Sequence, residues 1–190
     1  MTTRIIIAGE GGQGVMFLGR VLAEAACAEG KCVTWLPAYG AEVRGGTANC
    51  TVIVSDEEIG SPFIDKADAL IILNEPSMAR FQGRLARKGL LVVNASLVPR
   101  ASAAGAAVEK HAFTDLAIAA GSAKAANMVA LGCFIARSRI VAKKSILDAI
   151  QAMIPGDRPD IARLNSESFV RGLELVQPEN KKEGASHGAR

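Results

Sequence analysis

The sequence predicts an α/β protein with a Rossmann-like, mostly parallel sheet, helices on both faces and a helical C-terminal part. In the first half of the chain, continuous β-branched runs alternate with segments of helical periodicity. That alternation is typical of parallel strands covered on both faces. The first apolar run leads into a glycine-rich turn, as in a strand-turn-helix unit. The second half has mainly helical patterns.

The first predicted strand is 4–8, "RIIIA", and a helix follows over 15–29. Apolar side chains recur along one face of that helix, and Gly30 is its stop signal. Short β-branched runs predict four more strands, at 32–36, 48–54, 68–74 and 90–96.

The connections between these strands differ in kind. No helix-length segment joins 32–36 to 48–54, so this pair is a candidate antiparallel pair, with 48–54 near an edge of the sheet. A helix is predicted over about 76–88. The stretch 95–112 has a loop-like composition with room for one short strand.

The second half predicts three helices, the first of them capped by Ser122, at about 123–137, 143–154 and 161–176. We find no internal repeat and no second set of core segments. The chain is therefore expected to form a single domain over 1–177, followed by a polar, disordered tail over 178–190.

The amino-acid composition argues against a partner that is a nucleic acid or a membrane. Hydrophobic residues make up 49% of the chain and aromatic residues 4%, and 22 basic residues nearly balance 19 acidic ones. These values argue against a nucleic-acid partner, which usually meets a basic surface with aromatic stacking side chains. No apolar run has the length of a membrane span, and the first residues do not resemble a signal peptide. We expect a cytoplasmic protein without a membrane partner.

The cysteines and histidines do not show the spacing of a metal site. Cys27, Cys32, Cys50 and Cys133 form no Cys-x-x-Cys pair, so we predict no metal or iron–sulfur site and expect buried free thiols. His111 and His187 are poor candidates for a catalytic base, because they fall in a loop-like stretch and in the tail.

The glycine-rich turn is the first candidate binding site. Three of its glycines have the G-x-G-x-x-G spacing, and the free N–H groups at a helix start attract a phosphate or a carboxylate. The alternative is a tight turn that binds no ligand. The candidate cofactor-binding residues of this turn are Gly9, Gly11, Gly12, Gln13 and Gly14.

The sequence lacks an acidic residue that a nicotinamide cofactor would need. Such a cofactor needs an Asp or Glu at the end of the second strand to bind the ribose hydroxyls, and Pro37 and Ala38 occupy that place. This argues against a stand-alone nucleotide-dependent dehydrogenase.

The loop over 37–49 is the second candidate site. An arginine followed by two glycines presents a planar cation beside exposed backbone, which suits a carboxylate or a phosphate. The alternative is a turn with solvated charges. Because the carboxyl ends of parallel strands share one edge, we expect this loop to lie beside the glycine-rich turn, Asn74 and Asn94. Its candidate residues are Tyr39, Glu42, Arg44, Gly45 and Gly46.

Four motifs together carry a family resemblance. "IAGEGGQGV", "YGAEVRGG", "VSDEEIGSP" and "KAANMVALG" follow one another in this order. The chain thereby resembles the gamma subunit, or gamma domain, of 2-oxoacid:ferredoxin oxidoreductases of the 2-oxoglutarate, pyruvate and branched-chain ketoisovalerate types. The small (beta) subunit of indolepyruvate:ferredoxin oxidoreductase is the second reading. A separate nucleotide-binding or regulatory module on a Rossmann-like scaffold is the third.

The resemblance implies a role in a multisubunit complex that converts a 2-oxoacid to an acyl-coenzyme A. Thiamine diphosphate on the alpha and beta subunits would decarboxylate the oxoacid, and iron–sulfur clusters would pass electrons through a ferredoxin-like subunit to ferredoxin. This chain alone would bind no cofactor and supply no catalytic residue, and without its partners it could form a homodimer. Its glycine turn and Arg44 loop would complete the coenzyme A side of the site or a subunit interface.

Overall fold

A computed structural model describes residues 1–39 and 47–176 of the protein. One six-stranded sheet has the spatial order β2-β3-β1-β4-β5-β6. In chain order the strands are β1 (Thr2–Glu10), β2 (Cys32–Tyr39), β3 (Thr47–Ser55), β4 (Ala67–Ile72), β5 (Leu85–Asn94) and β6 (Ala107–His111). The helices are α1 (Val15–Ala28), α2 (Glu75–Phe81), α3 (Phe113–Ala119), α4 (Ala126–Ser138), α5 (Lys143–Met153) and α6 (Pro159–Glu174).

The sheet is mostly parallel, as predicted. β1, β4, β5 and β6 pair in parallel with one another, whereas β3 is antiparallel to both of its neighbours, β1 and β2. The expected antiparallel pair is therefore confirmed. β2 forms one edge of the sheet and β6 the other, and β3 lies one place inward, between β2 and β1.

Each face of the sheet has its own hydrophobic core. Successive side chains of a strand point to opposite faces, so Ile5 and Ile7 of β1 face α1 and α4, while Ile6 and Ala8 face α2. Most helices cover the first face, and α2 with neighbouring loops covers the second. None of the helices within the described residues is long and apolar enough to cross a membrane.

The helix expected over 76–88 is wrong in its second half. α2 ends at Phe81, a 3₁₀ turn follows over Gln82–Arg84, and β5 begins at Leu85. Arg84 donates hydrogen bonds to the main-chain oxygens of Ile64 and Asp65, and Leu85 pairs with Ala67 of β4. These tertiary contacts override the local helical tendency of the segment.

The stretch over 95–112 contains one short strand, β6, in agreement with its composition. The helix α3, which begins two residues after β6 and is anchored by the fully buried Phe113, was not predicted from the sequence. The prediction of buried free thiols is confirmed for Cys50 and Cys133, where burial raises the pKa of each thiol to about 12. It is wrong for Cys27 and Cys32, which are exposed, because they lie in the last turn of α1 and at the start of the edge strand.

α4 and α6 pack closely through two glycines. A Cβ atom built on Gly132 would lie 2.1 Å from the main-chain oxygen of Phe169. A Cβ atom on Gly172 would lie 2.1 Å from the main-chain oxygen of Val129. No real side chain fits such a distance, so the two backbones require glycine where they cross.

Gly132→Ala is expected to lower the free energy of unfolding by about 1–3 kcal/mol, because overpacking against backbone costs more than the gain of up to about 1 kcal/mol in helix propensity. The matched control is Gly156→Ala, where an added Cβ meets nothing within 4 Å. Urea denaturation of both variants checks the prediction. Equal stabilities for the two variants would show that the helices can move apart at no cost.

Candidate functional site

The glycine-rich turn joins the end of β1 to the start of α1. Gly12 and Gly14 adopt φ values of +96° and +72°, a left-handed conformation that favours glycine. The Gln13 side chain accepts a hydrogen bond of 2.7 Å from the main-chain N–H of Glu10, and the Gln13 N–H donates back to the Glu10 oxygen at 3.1 Å. A Cβ atom on Gly11 or Gly12 would meet only open space. The turn is thus held by its own hydrogen bonds and presents two exposed glycines.

Asn127 of α4 holds this turn from the helical half of the protein. Its side chain is 2% exposed, and Nδ2 donates a hydrogen bond of 3.0 Å to the Gly14 oxygen. A Cβ atom on Gly14 would lie 2.3 Å from that nitrogen. Gly14 is therefore glycine both for its backbone angle and for the approach of Asn127.

Further polar contacts tie the ends of the neighbouring strands together. Asn94, at the end of β5, donates from Nδ2 to the Leu73 oxygen and to the Thr114 hydroxyl, at 3.2 and 2.8 Å. Asn74 caps α2 by accepting from the Ser77 N–H. The Ser77 hydroxyl in turn donates to the Gly9 oxygen at 3.3 Å. These bonds fix the ends of β1, β4 and β5 relative to one another.

A cleft of about 200 Å³ opens between the glycine turn and the start of α4. Its walls include the residues Gly12, Gln13, Asn94, Leu97, Thr114 and Lys124. Two of these residues, Gly12 and Gln13, belong to the turn at the positive end of the α1 dipole, and Lys124 is a cationic residue. None of the described residues that line it is a histidine, a cysteine or a carboxylate. The arrangement suits the binding of an anion rather than acid–base or nucleophilic chemistry.

The described residues include only part of the loops that are predicted to lie side by side at the carboxyl ends of the strands. Gly12, Gln13 and Asn94 line one cleft, and Gly9 is bonded to Ser77 of α2. Tyr39 is the last residue of β2, and its backbone pairs with that of Ala48 in β3. The remaining predicted residues of the second loop, Glu42, Arg44, Gly45 and Gly46, lie outside the described residues, as does the tail over 178–190.

The sequence places Lys124 and Asn127 at the start of a helix that can reach this edge, but neither is among the predicted site residues. Asn127 and Lys124 follow Ser122, whose hydroxyl accepts a hydrogen bond from the Lys124 N–H. Ser122 caps a 3₁₀ turn, Ala123–Ala125, and α4 begins directly after it at Ala126, three residues later than the sequence predicts. Thr114 had no such signal, because α3 itself was not predicted.

Comparisons with known proteins agree with the resemblance. Residues 4–175 match the family model described as pyruvate ferredoxin/flavodoxin oxidoreductase. The VorA subunit of ketoisovalerate oxidoreductase from Methanothermobacter thermautotrophicus is 45% identical over 92% of this chain and 36% of its own length. The chain thus spans about a third of the curated relatives that it matches first.

Two solved structures share the fold. The gamma subunit of a keto/oxoacid ferredoxin oxidoreductase from Geobacter sulfurreducens matches 91% of this chain and 97% of its own length, with a TM-score of 0.79 and 29% identity. The 2-oxoglutarate:ferredoxin oxidoreductase from Magnetococcus marinus, solved with 2-oxoglutarate, coenzyme A and succinyl-coenzyme A, matches 92% of this chain and 31% of its own. Its TM-score is 0.81 at 21% identity, a likeness in fold alone.

Asn127→Ala is expected to lower the free energy of unfolding by about 1 kcal/mol or more, because a buried hydrogen bond and its packing are lost. The control is Asn165→Ala, which removes an exposed side chain that donates to the Ile161 oxygen and is expected to cost almost nothing. Chemical denaturation measures both values. A loss at Asn165 as large as that at Asn127 would contradict a special role for the contact with Gly14.

Proposed function

We propose, on the premise that the chain belongs to the pyruvate ferredoxin/flavodoxin oxidoreductase family, that it acts as the gamma component of a 2-oxoacid:ferredoxin oxidoreductase. The complex would oxidatively decarboxylate a 2-oxoacid, transfer the acyl group to coenzyme A and pass electrons to ferredoxin. The observation that carries this proposal is the length of the match, because the family model spans residues 4–175 and so overlaps every strand and helix of the described residues.

The redox cofactors would belong to the partner subunits. Iron–sulfur clusters are usually held by four cysteine thiolates. Among the described residues, the one group of three potential metal ligands contains a single cysteine, Cys133. Thiamine diphosphate would sit on the alpha and beta subunits, and the clusters on a ferredoxin-like subunit that reduces ferredoxin. We assign this chain no catalytic residue.

The cleft beside the glycine turn would receive a phosphate of coenzyme A. Main-chain N–H groups at a helix start and an ammonium group, here that of Lys124, are the donors that phosphate prefers. The fold neighbour from Magnetococcus marinus was solved with coenzyme A, which supports this choice of ligand. Tyr39, Glu42, Arg44, Gly45 and Gly46 would form the adjoining rim, with Arg44 facing an anionic group.

The same edge would face the alpha and beta subunits. Leu97 lines the cleft and is nevertheless 42% exposed, as expected of an apolar side chain that a partner covers. The isolated chain, without those partners, would self-associate as a homodimer. We place the complex in the cytoplasm, with no nucleic acid or membrane as a partner.

The strand order of this sheet does not fit a stand-alone dinucleotide-binding protein as well as it fits the gamma component. In the dinucleotide-binding arrangement, the acid that holds the ribose ends the strand adjacent to β1. Here β3 separates β2 from β1, and β2 passes through Pro37 and Ala38 to Tyr39 without an acidic residue. The indolepyruvate-type small subunit is also disfavoured, because the 45% identical relative bears the ketoisovalerate name.

Affinity purification of the tagged chain from cells that express its neighbouring genes tests the function. We expect a brown complex that contains a thiamine diphosphate protein and a two-cluster ferredoxin-like protein, whereas the isolated chain is colourless. Saturable binding of NAD to the isolated chain at micromolar concentration, without such partners, would contradict the proposal and favour the dinucleotide-binding alternative.

A further inference from the structure

Three potential metal ligands converge at the other end of the sheet from β2. Glu109 and His111 belong to β6, the edge strand, and Cys133 belongs to α4. One ligand atom from each residue lies within 4.8 Å of those of the other two. The cluster is formed by segments distant in sequence, so the cysteine spacing alone could not reveal it.

The local backbone explains the convergence. Glu109 and His111 are two residues apart on a strand and therefore point to the same face of the sheet. Their paired residues on β5, Val92 and Asn94, show that this strand is held in a fixed register. α4 lies on that face and presents Cys133, which is fully buried.

The distances suit ligands of one ion. Nε2 of His111 and Oε2 of Glu109 lie 3.2 Å apart. Two atoms that each sit about 2.0–2.1 Å from a tetrahedral zinc ion are separated by roughly 3.3 Å. The Cys133 sulfur lies within 4.8 Å of a ligand atom of each partner, whereas a zinc-bound sulfur and a zinc-bound nitrogen or oxygen are separated by roughly 3.6 Å, so binding requires the sulfur to move by about 1.2 Å at most.

The charges around the cluster leave one carboxylate oxygen for a metal. Arg137, one turn after Cys133 on α4, lies with Nε 3.7 Å from Oε1 of Glu109, while Oε2 faces His111. A cation that orients a ligating carboxylate from behind is a common outer contact of metal sites. Burial and the negative charge of Glu109 raise the pKa of the Cys133 thiol to about 12, so a metal must displace its proton.

We propose that Glu109, His111 and Cys133 bind one divalent ion of the zinc class, which fastens the edge strand β6 to α4. A thiolate, an imidazole and a carboxylate are the donors that zinc accepts together. The side chains of His111 and Glu109 are 26% and 18% exposed, so an ion can reach these two ligands from solvent. The site lies outside the cleft of the proposed function and does not depend on it.

Cobalt(II) is the probe for this site, because a cobalt–thiolate bond gives a near-ultraviolet charge-transfer band. The full chain with Cys27→Ser and Cys32→Ser, which removes the exposed thiols, is titrated with Co²⁺. We expect the band to saturate at one equivalent, to disappear when Zn²⁺ is added and to strengthen with rising pH as the thiol loses its proton. No band in this protein would overturn the proposal.

Variants in the same background locate the ligands. Cys133→Ala should abolish the band, and His111→Gln should weaken Co²⁺ binding at least tenfold. Cys50→Ala is the matched control, since Cys50 is equally buried and has a similarly raised pKa, and it should bind Co²⁺ as the background protein does. His111→Gln changes a side chain that is partly exposed rather than buried, so it carries the test even if Cys133→Ala unfolds. Unchanged binding in His111→Gln would refute the site.

Discussion

The hydrogen bond from Asn127 to the Gly14 oxygen links the two halves of the protein at the candidate site. Gly14 is the N-cap residue of α1, and Asn127 lies in the first turn of α4, more than a hundred residues later. The position of α4 depends in turn on its crossing with α6, where Gly132 and Gly172 leave no room for a side chain. The cleft between the turn and Lys124 therefore has a shape determined by helix packing well away from it.

Local patterns predicted most of the sheet, and tertiary contacts account for what they missed. The β-branched runs located five strands, and Ser122 caps a 3₁₀ turn, Ala123–Ala125, that leads directly into α4. The segment after α2 becomes strand because Arg84 and Leu85 find partners near β4, which no local pattern encodes. The glycines of the turn were identifiable from spacing, whereas Asn127, Thr114 and the Glu109–His111–Cys133 cluster come together only when distant segments fold.

The sheet order also changes the meaning of the glycine motif. With β3 inserted between β1 and β2, the strand that would bind a ribose is moved away from the turn. The phosphate-binding half of the motif stays, because it needs only the end of β1 and the start of α1. This explains how a G-x-G-x-x-G turn can serve a different anion, with Lys124, from the 3₁₀ turn Ala123–Ala125 that precedes α4, lining the same cleft.

The KM for coenzyme A of a reconstituted complex carrying Lys124→Gln tests this account most directly. Loss of a charged hydrogen bond to phosphate predicts a rise of about tenfold in that KM, with the KM for the oxoacid and the assembly of the complex unchanged. Lys143→Gln is the control, because Lys143 begins α5 beside the end of α1 distant from the glycine turn. A KM for coenzyme A that is the same in both variants and in the wild type would contradict the placement of coenzyme A in the cleft.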